Sequence, residues 1–168
     1  MSVAAEIQVR DKLYVGGEWI EPAGSETIDV VNPSNEEVVG RIPLGTPDDV
    51  DRAVAAARKA FEGWARAEKV DRARYLGAVA DALAARADEL AGSIAQELGM
   101  PLAQCKAIQV GLPTMTFGSM PQLMEEVTWE EEVGNSLVVR EPAGVVGAIT
   151  GTAGSRSTPP VSRFPSTT

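Results

Sequence analysis

Histidine is absent from this 168-residue sequence, and cysteine occurs once, at Cys105. With no imidazole there is no Ser-His-Asp triad, and with a single thiol besides there is no zinc site. A lone thiol also closes no internal disulfide. Aromatic residues are scarce at 5%, and no apolar run approaches the roughly 20 residues that span a bilayer, which excludes a membrane helix. Acids outnumber bases by 24 to 15, and no Lys/Arg run interrupts the net charge of −9, so nucleic acid is excluded as a partner. The opening stretch, MSVAAEIQVRDKL, carries charges where a secretory leader has its apolar core, and a cytoplasmic protein is expected.

What the sequence does contain suits one α/β domain: 44% of its residues are hydrophobic, enough for a core. Leu13 to Val15 and Trp19-Ile20 flank Gly16-Gly17, a pair that tolerates the positive φ of a tight hairpin. Thr27 to Val31 and Val38 to Ile42 are two further strand-like runs, separated by the turn-forming Asn32-Pro33-Ser34-Asn35. A small antiparallel β unit is expected to open the chain, after a flexible stretch over residues 1–11.

Thr46 then reads as an N-cap, with Pro47 at the first helical position and Asp48 and Asp49 where the helix dipole favours negative charge. Val50, Val54, Ala57, Phe61 and Trp64 follow at spacings of three and four and share a face. A second helix is predicted from Val70 to Leu98, with Leu76, Val79, Leu83, Leu90 and Ile94 as its buried stripe and Gly99 as its C-cap. A third begins near Pro101 with Leu102, Cys105 and Ile108 on one side, and Pro113 and Pro121 oppose its continuation. Thr128 to Val133 and Ser136 to Arg140 flank Gly134-Asn135 as a second hairpin. Gly144 to Ile149 is a short continuous apolar run, the pattern of a parallel strand buried on both faces. Residues 151–168 contain four Ser, four Thr and three Pro, with only Val161 and Phe164 as substantial apolar groups, and this composition predicts disorder.

Several of these stretches, in this order, resemble the aldehyde dehydrogenase superfamily: LYVGGEWIEP, VVNPSNEEVVGRIPLGTPDDVDRAVAAARKAFEGWA, a long helix ending ELGMPL, and EEEVGNSLVVREPAGVVGAIT. The resemblance runs from Lys12 to Thr150. It implies an incomplete version of that fold. Residues 12–126 form the N-terminal β unit and helices of the cofactor-binding domain, 127–142 an oligomerisation-type hairpin, 143–150 the first strand of a Rossmann-like sheet, and 151–168 a tail foreign to the family. The family reaction oxidises an aldehyde to a carboxylic acid through a cysteine thiohemiacetal and passes hydride to NAD or NADP. Ile149 and Thr150 occupy positions that line the nicotinamide end of the cofactor site. Beyond them the family runs into Pro-Trp-Asn, whose Asn donates to the substrate oxyanion, whereas this chain reads Gly151-Thr152-Ala153. Gly-Thr is what codons for Trp-Asn can encode when read one base later, so a truncated or frameshifted gene, or a gene-model artefact, is expected. No catalytic residue of the family can be assigned, cofactor binding by this fragment is not expected, and the chain is expected to be inactive alone.

Other candidates take simpler readings. Cys105 has no base to activate it and reads as a core or interface thiol. Glu130-Glu131-Glu132 and Glu141 read as a solvated hairpin face. Glu97 and Val31 lie near positions that hold a monovalent cation in some family members, but one carboxylate assigns no metal site. Gly144 and Gly147 lie inside the expected strand and read as packing glycines, not as a phosphate loop. The family's hairpin joins subunits, so the resemblance implies self-association or association with other aldehyde dehydrogenase subunits through Leu137-Val138-Val139.

Overall fold

The computed structural model describes residues 8–148. Ile149, Thr150 and the tail 151–168 lie outside the described residues, as does the start of the expected flexible N-terminus. That expectation fails at Gln8–Val9, which forms strand β1. Strands β2 (Leu13–Val15) and β3 (Glu18–Ile20) pair antiparallel across Gly16 and Gly17, both at positive φ, as their sequence requires. Strands β4 (Thr27–Val31) and β5 (Val38–Pro43) also pair antiparallel, and β1 joins the far edge of β5 in parallel. The expected single antiparallel unit is therefore two sheets: a hairpin, and a three-stranded sheet of mixed direction in the order β1-β5-β4. The central strand has two edges, and a remote segment fills the one that the hairpin partner leaves open.

Helix α1 (Pro47–Ala65) begins at the predicted Thr46 cap. The Asp49 N–H donates to the Thr46 hydroxyl oxygen, and the Asp49 carboxylate accepts from the Thr46 N–H, a reciprocal box that satisfies two free donors. The predicted second helix is two: α2 (Lys69–Ala85) and α3 (Ala87–Leu98), broken at Arg86, whose φ of −109° and ψ of 17° leave the helical region. Asp88 and Glu89 in the first turn of α3 suit a new helix start, and the Arg86 side chain bonds Glu89 through both Nε and Nη2. Gly99 ends α3 in the left-handed conformation, as predicted.

Beyond Pro101 the chain stays helical through both prolines. A single turn, α4 (Leu102–Gln104), passes into a wide π turn (Cys105–Val110) and then into α5 (Gly111–Glu126). The wide turn lies just before Pro113, where a regular helix would aim a carbonyl at a nitrogen without hydrogen. It also changes the phase of the buried face. Cys105 and Val110 point inward, while Leu102 and Ile108, expected beside Cys105, are exposed.

Two contacts hold the helices together. Ala91, Cys105 and Val110 form a buried centre, with Ala87, Leu90, Ile94, Ala95 and Met100 around it. Helix α5 lies along α2, where Gly77 faces the Pro121 ring and Gly118 faces Ala80. Small residues let the axes approach there and accommodate the proline ring. The expected α1 stripe is only partly used: Val54 and Phe61 are half-buried, whereas Val50 and Trp64 are exposed.

Strands β6 (Glu130–Val133) and β7 (Ser136–Val139) form the second hairpin, shorter than expected, turning at Gly134 and exposed at every position. Residues 141–148 form no strand, against expectation, and Val145 and Val146 are exposed. A strand meant for burial on both faces has no ladder partner among the described residues.

Candidate functional site

The chemistry-bearing side chains lie in three places. At the start of α1, Asp49 is buried, at 4% exposure, and gathers donors from distant residues. Its carboxylate accepts from the Thr46 N–H and hydroxyl at 2.8 Å each and from the Ala23 N–H at 2.9 Å, and it pairs with Arg52. Arg52 in turn donates to the Glu21 carbonyl at 3.0 Å. The Thr46 N–H above all, then Arg52 and the Ala23 N–H, hold the Asp49 carboxyl well below the usual carboxylate range, against the opposing effect of burial. This set of bonds staples the loop after β3 to the first turn of α1.

At the π turn, Cys105 is fully buried, and its thiol donates to the Met100 carbonyl at 3.4 Å. Among the described residues no cationic or basic side chain bonds it. It is a packing residue, in accord with the sequence reading.

At the corner between α1 and α2, a cleft of about 390 Å³ opens between the helices and the second hairpin. Ala67, Lys69 and Arg72 line one side, and Trp129, Val139 and Arg140 line the other. The Arg72 guanidinium stacks on Trp64 and Trp129, 5.3 and 5.2 Å from their ring centres. Sequence reading passed over Arg72, since one arginine on a helix carries no local signal. Trp64 and the sequence around Trp129 were visible, but their meeting depends on the α1–α2 turn.

The candidate cofactor positions do not enter this geometry. Ile149 and Thr150 lie outside the described residues, and the Gly144–Gly147 segment leads into no described helix. One other strand-to-helix passage with a glycine, Gly45 before α1, offers no phosphate cradle. There the Asp49 N–H donates to the Thr46 hydroxyl and the Thr46 N–H to the Asp49 carboxylate, and Asp48 adds negative charge that opposes a phosphate. Glu97 and Val31 are both exposed, and the described residues hold no group of three or more potential metal ligands. No helix among them is long and apolar enough to cross a membrane.

Residues 19–151 match the aldehyde dehydrogenase family. The chain belongs to that family. The chain is 40% identical, over 83% of its length, to a 3-succinoylsemialdehyde-pyridine dehydrogenase of a Pseudomonas species. Its fold matches that of a mutant aldehyde dehydrogenase C of Pseudomonas syringae complexed with NAD+ and octanal, at a TM-score of 0.77 and 36% identity over 79% of this chain. It also matches a Mycobacterium tuberculosis aldehyde dehydrogenase complexed with NAD+, at 0.72 and 33% identity over 82% of the chain. The chain spans 29%, 27% and 30% of these three proteins respectively, so it holds under a third of a whole aldehyde dehydrogenase.

Proposed function

We propose that this chain supplies the N-terminal strands, helices and projecting hairpin of an NAD(P)-dependent aldehyde dehydrogenase, and that by itself it oxidises no aldehyde. The family reaction begins with attack of a thiolate on the carbonyl and continues with hydride transfer to NAD or NADP. The observation carrying the proposal is the environment of Cys105, the one thiol of the chain, fully buried and held by a backbone carbonyl. Chemistry of the whole enzyme on this reading needs a nucleophile, a base and a cofactor cradle that residues 8–148 do not provide. A single free thiol suits the reducing cytoplasm, where we place the chain. The test is NAD(P)H formation from a panel of aldehydes by the purified chain, with a thermal unfolding scan in the presence of NAD and of NADP. No turnover and no cofactor-induced shift are expected. Turnover free of any full-length contaminant would overturn the proposal.

A second reading makes the chain an assembly or complementation partner of other aldehyde dehydrogenase subunits. The hairpin favours it: Leu137, Val138 and Val139 are exposed on β7, a strand that among the described residues is paired on one side only, by β6. Co-purification with a full-length subunit tests this reading. A clean monomer at concentrations where the full enzyme assembles would count against it.

A further inference from the structure

Among the described residues the β6–β7 hairpin pairs only with itself. A two-stranded hairpin is marginal in water unless something holds it. Its base is closed by Arg140, whose N–H donates to the Trp129 carbonyl at 2.9 Å and whose side chain donates to the Thr128 carbonyl. That closed unit meets the helices at Trp129, on the Arg72 guanidinium.

Arg72 is fixed independently of the hairpin. Its Nε donates to the Ala67 carbonyl and its Nη2 to the Trp64 and Ala65 carbonyls, all at 3.0 Å. Trp64 and Ala65 end α1 and Ala67 follows two residues on; the dipole of a helix C-terminus attracts a cation, and the last turn of α1 itself has no basic residue. The planar fork thus caps α1 and leaves its two faces free for indoles. Trp64, from α1, takes one contact and Trp129 another. The Trp129 indole N–H is buried and has no hydrogen-bond partner among the described residues, which leaves the Arg72 contact to hold the ring. Beside this contact lies the open cleft, lined by Arg72 and Trp129 themselves.

We propose that Arg72 is the clasp that sets the aim of the β6–β7 hairpin, joining the end of α1 to the hairpin base through Trp129. The inference that this aim matters for assembly rests on the second reading above. A lysine does not replace Arg72, because its compact ammonium cannot spread donors from two nitrogens over three carbonyls and also reach both indoles.

Hydrogen exchange on the full 168-residue chain, diluted to its monomeric range, tests the clasp through Trp129→Ala and Arg72→Lys. Trp129→Ala leaves the Arg72 bonds to α1 intact. It is expected to raise exchange at the β6–β7 amides about five- to tenfold, the loss equivalent to one cation–π contact, while α1 and α2 amides keep their rates. Arg72→Lys is expected to raise exchange in both the hairpin and the end of α1. Wild-type protection of the hairpin in Trp129→Ala would overturn the proposal and leave Arg72 a helix cap only. Sedimentation of the same variants separates the two readings. Faster hairpin exchange with unchanged association supports the clasp and sinks the assembly role.

Discussion

The Asp49 carboxylate accepts the backbone N–H of Ala23 at 2.9 Å, across 26 residues of chain. One buried charge thereby ties the loop after β3 to the first turn of α1, which also carries the Thr46 cap. These bonds form with the ionised carboxylate, so they bind the joint to pH.

Asp49 titrates below the usual carboxylate range in the folded chain, chiefly because of the Thr46 N–H, and returns to about 3.9 when unfolded. Its stabilising contribution is therefore complete at neutral pH, declines as pH falls past the unfolded value, and is gone below the folded one. Asp49→Asn should lower the thermal midpoint at neutral pH, and its difference from the native chain should shrink towards about pH 3. A difference independent of pH in unfolding scans would refute the assignment of charge to this joint. Thr46→Ala removes the hydroxyl half of the cap while the Thr46 N–H bond remains, and should cost about 1 kcal/mol, with Thr46→Ser close to neutral.

Gly99 combines a φ of 71° with a close neighbour: a Cβ added there would lie 2.8 Å from Pro33 Cγ. Gly99→Ala should cost about 1–2 kcal/mol for the left-handed backbone alone, and more for displacement of a ring that cannot swing aside. Urea denaturation measures the sum. A cost below the backbone figure would show that the Pro33 turn does not pack on the end of α3.

Cys105 is expected to resist alkylation in the native chain, reacting at least about tenfold more slowly than in urea, which corresponds to an opening free energy of about 1.4 kcal/mol. Equal rates in the two conditions would mean that the α3–π turn centre is not formed. Cys105→Ser places a hydroxyl in the same small space and should destabilise more than Cys105→Ala, with the order read from denaturation midpoints.

Features with short-range causes were legible in the sequence. Thr46, Pro47 and the two aspartates announced the start of α1, because an N-cap and the dipole act within one turn. The Gly16-Gly17 turn and the Gly99 cap were equally clear, because φ preference belongs to the residue itself. Family motifs spread from Lys12 to Thr150 placed the fold class and the family without any coordinates, since each motif recorded a local shape. Buried Cys105 was read correctly, although the residues expected to share its face were not.

Tertiary structure decided whatever depends on a distant partner or on accumulated phase. The parallel pairing of Gln8–Val9 with β5 needed an open sheet edge more than 30 residues away, and two residues of sequence carry no such instruction. The π turn at Cys105–Val110 shifted the helical phase, so Leu102 and Ile108 moved out and Val110 moved in. The apolar pattern at Gly144–Ile149 specifies a buried strand, but burial requires neighbouring strands, and residues 8–148 supply none beside it. Arg72 shows the same limit most plainly. Its sequence neighbours mark it as a helix-surface arginine, and only the folded α1–α2 corner brings three carbonyls and two indoles around one guanidinium.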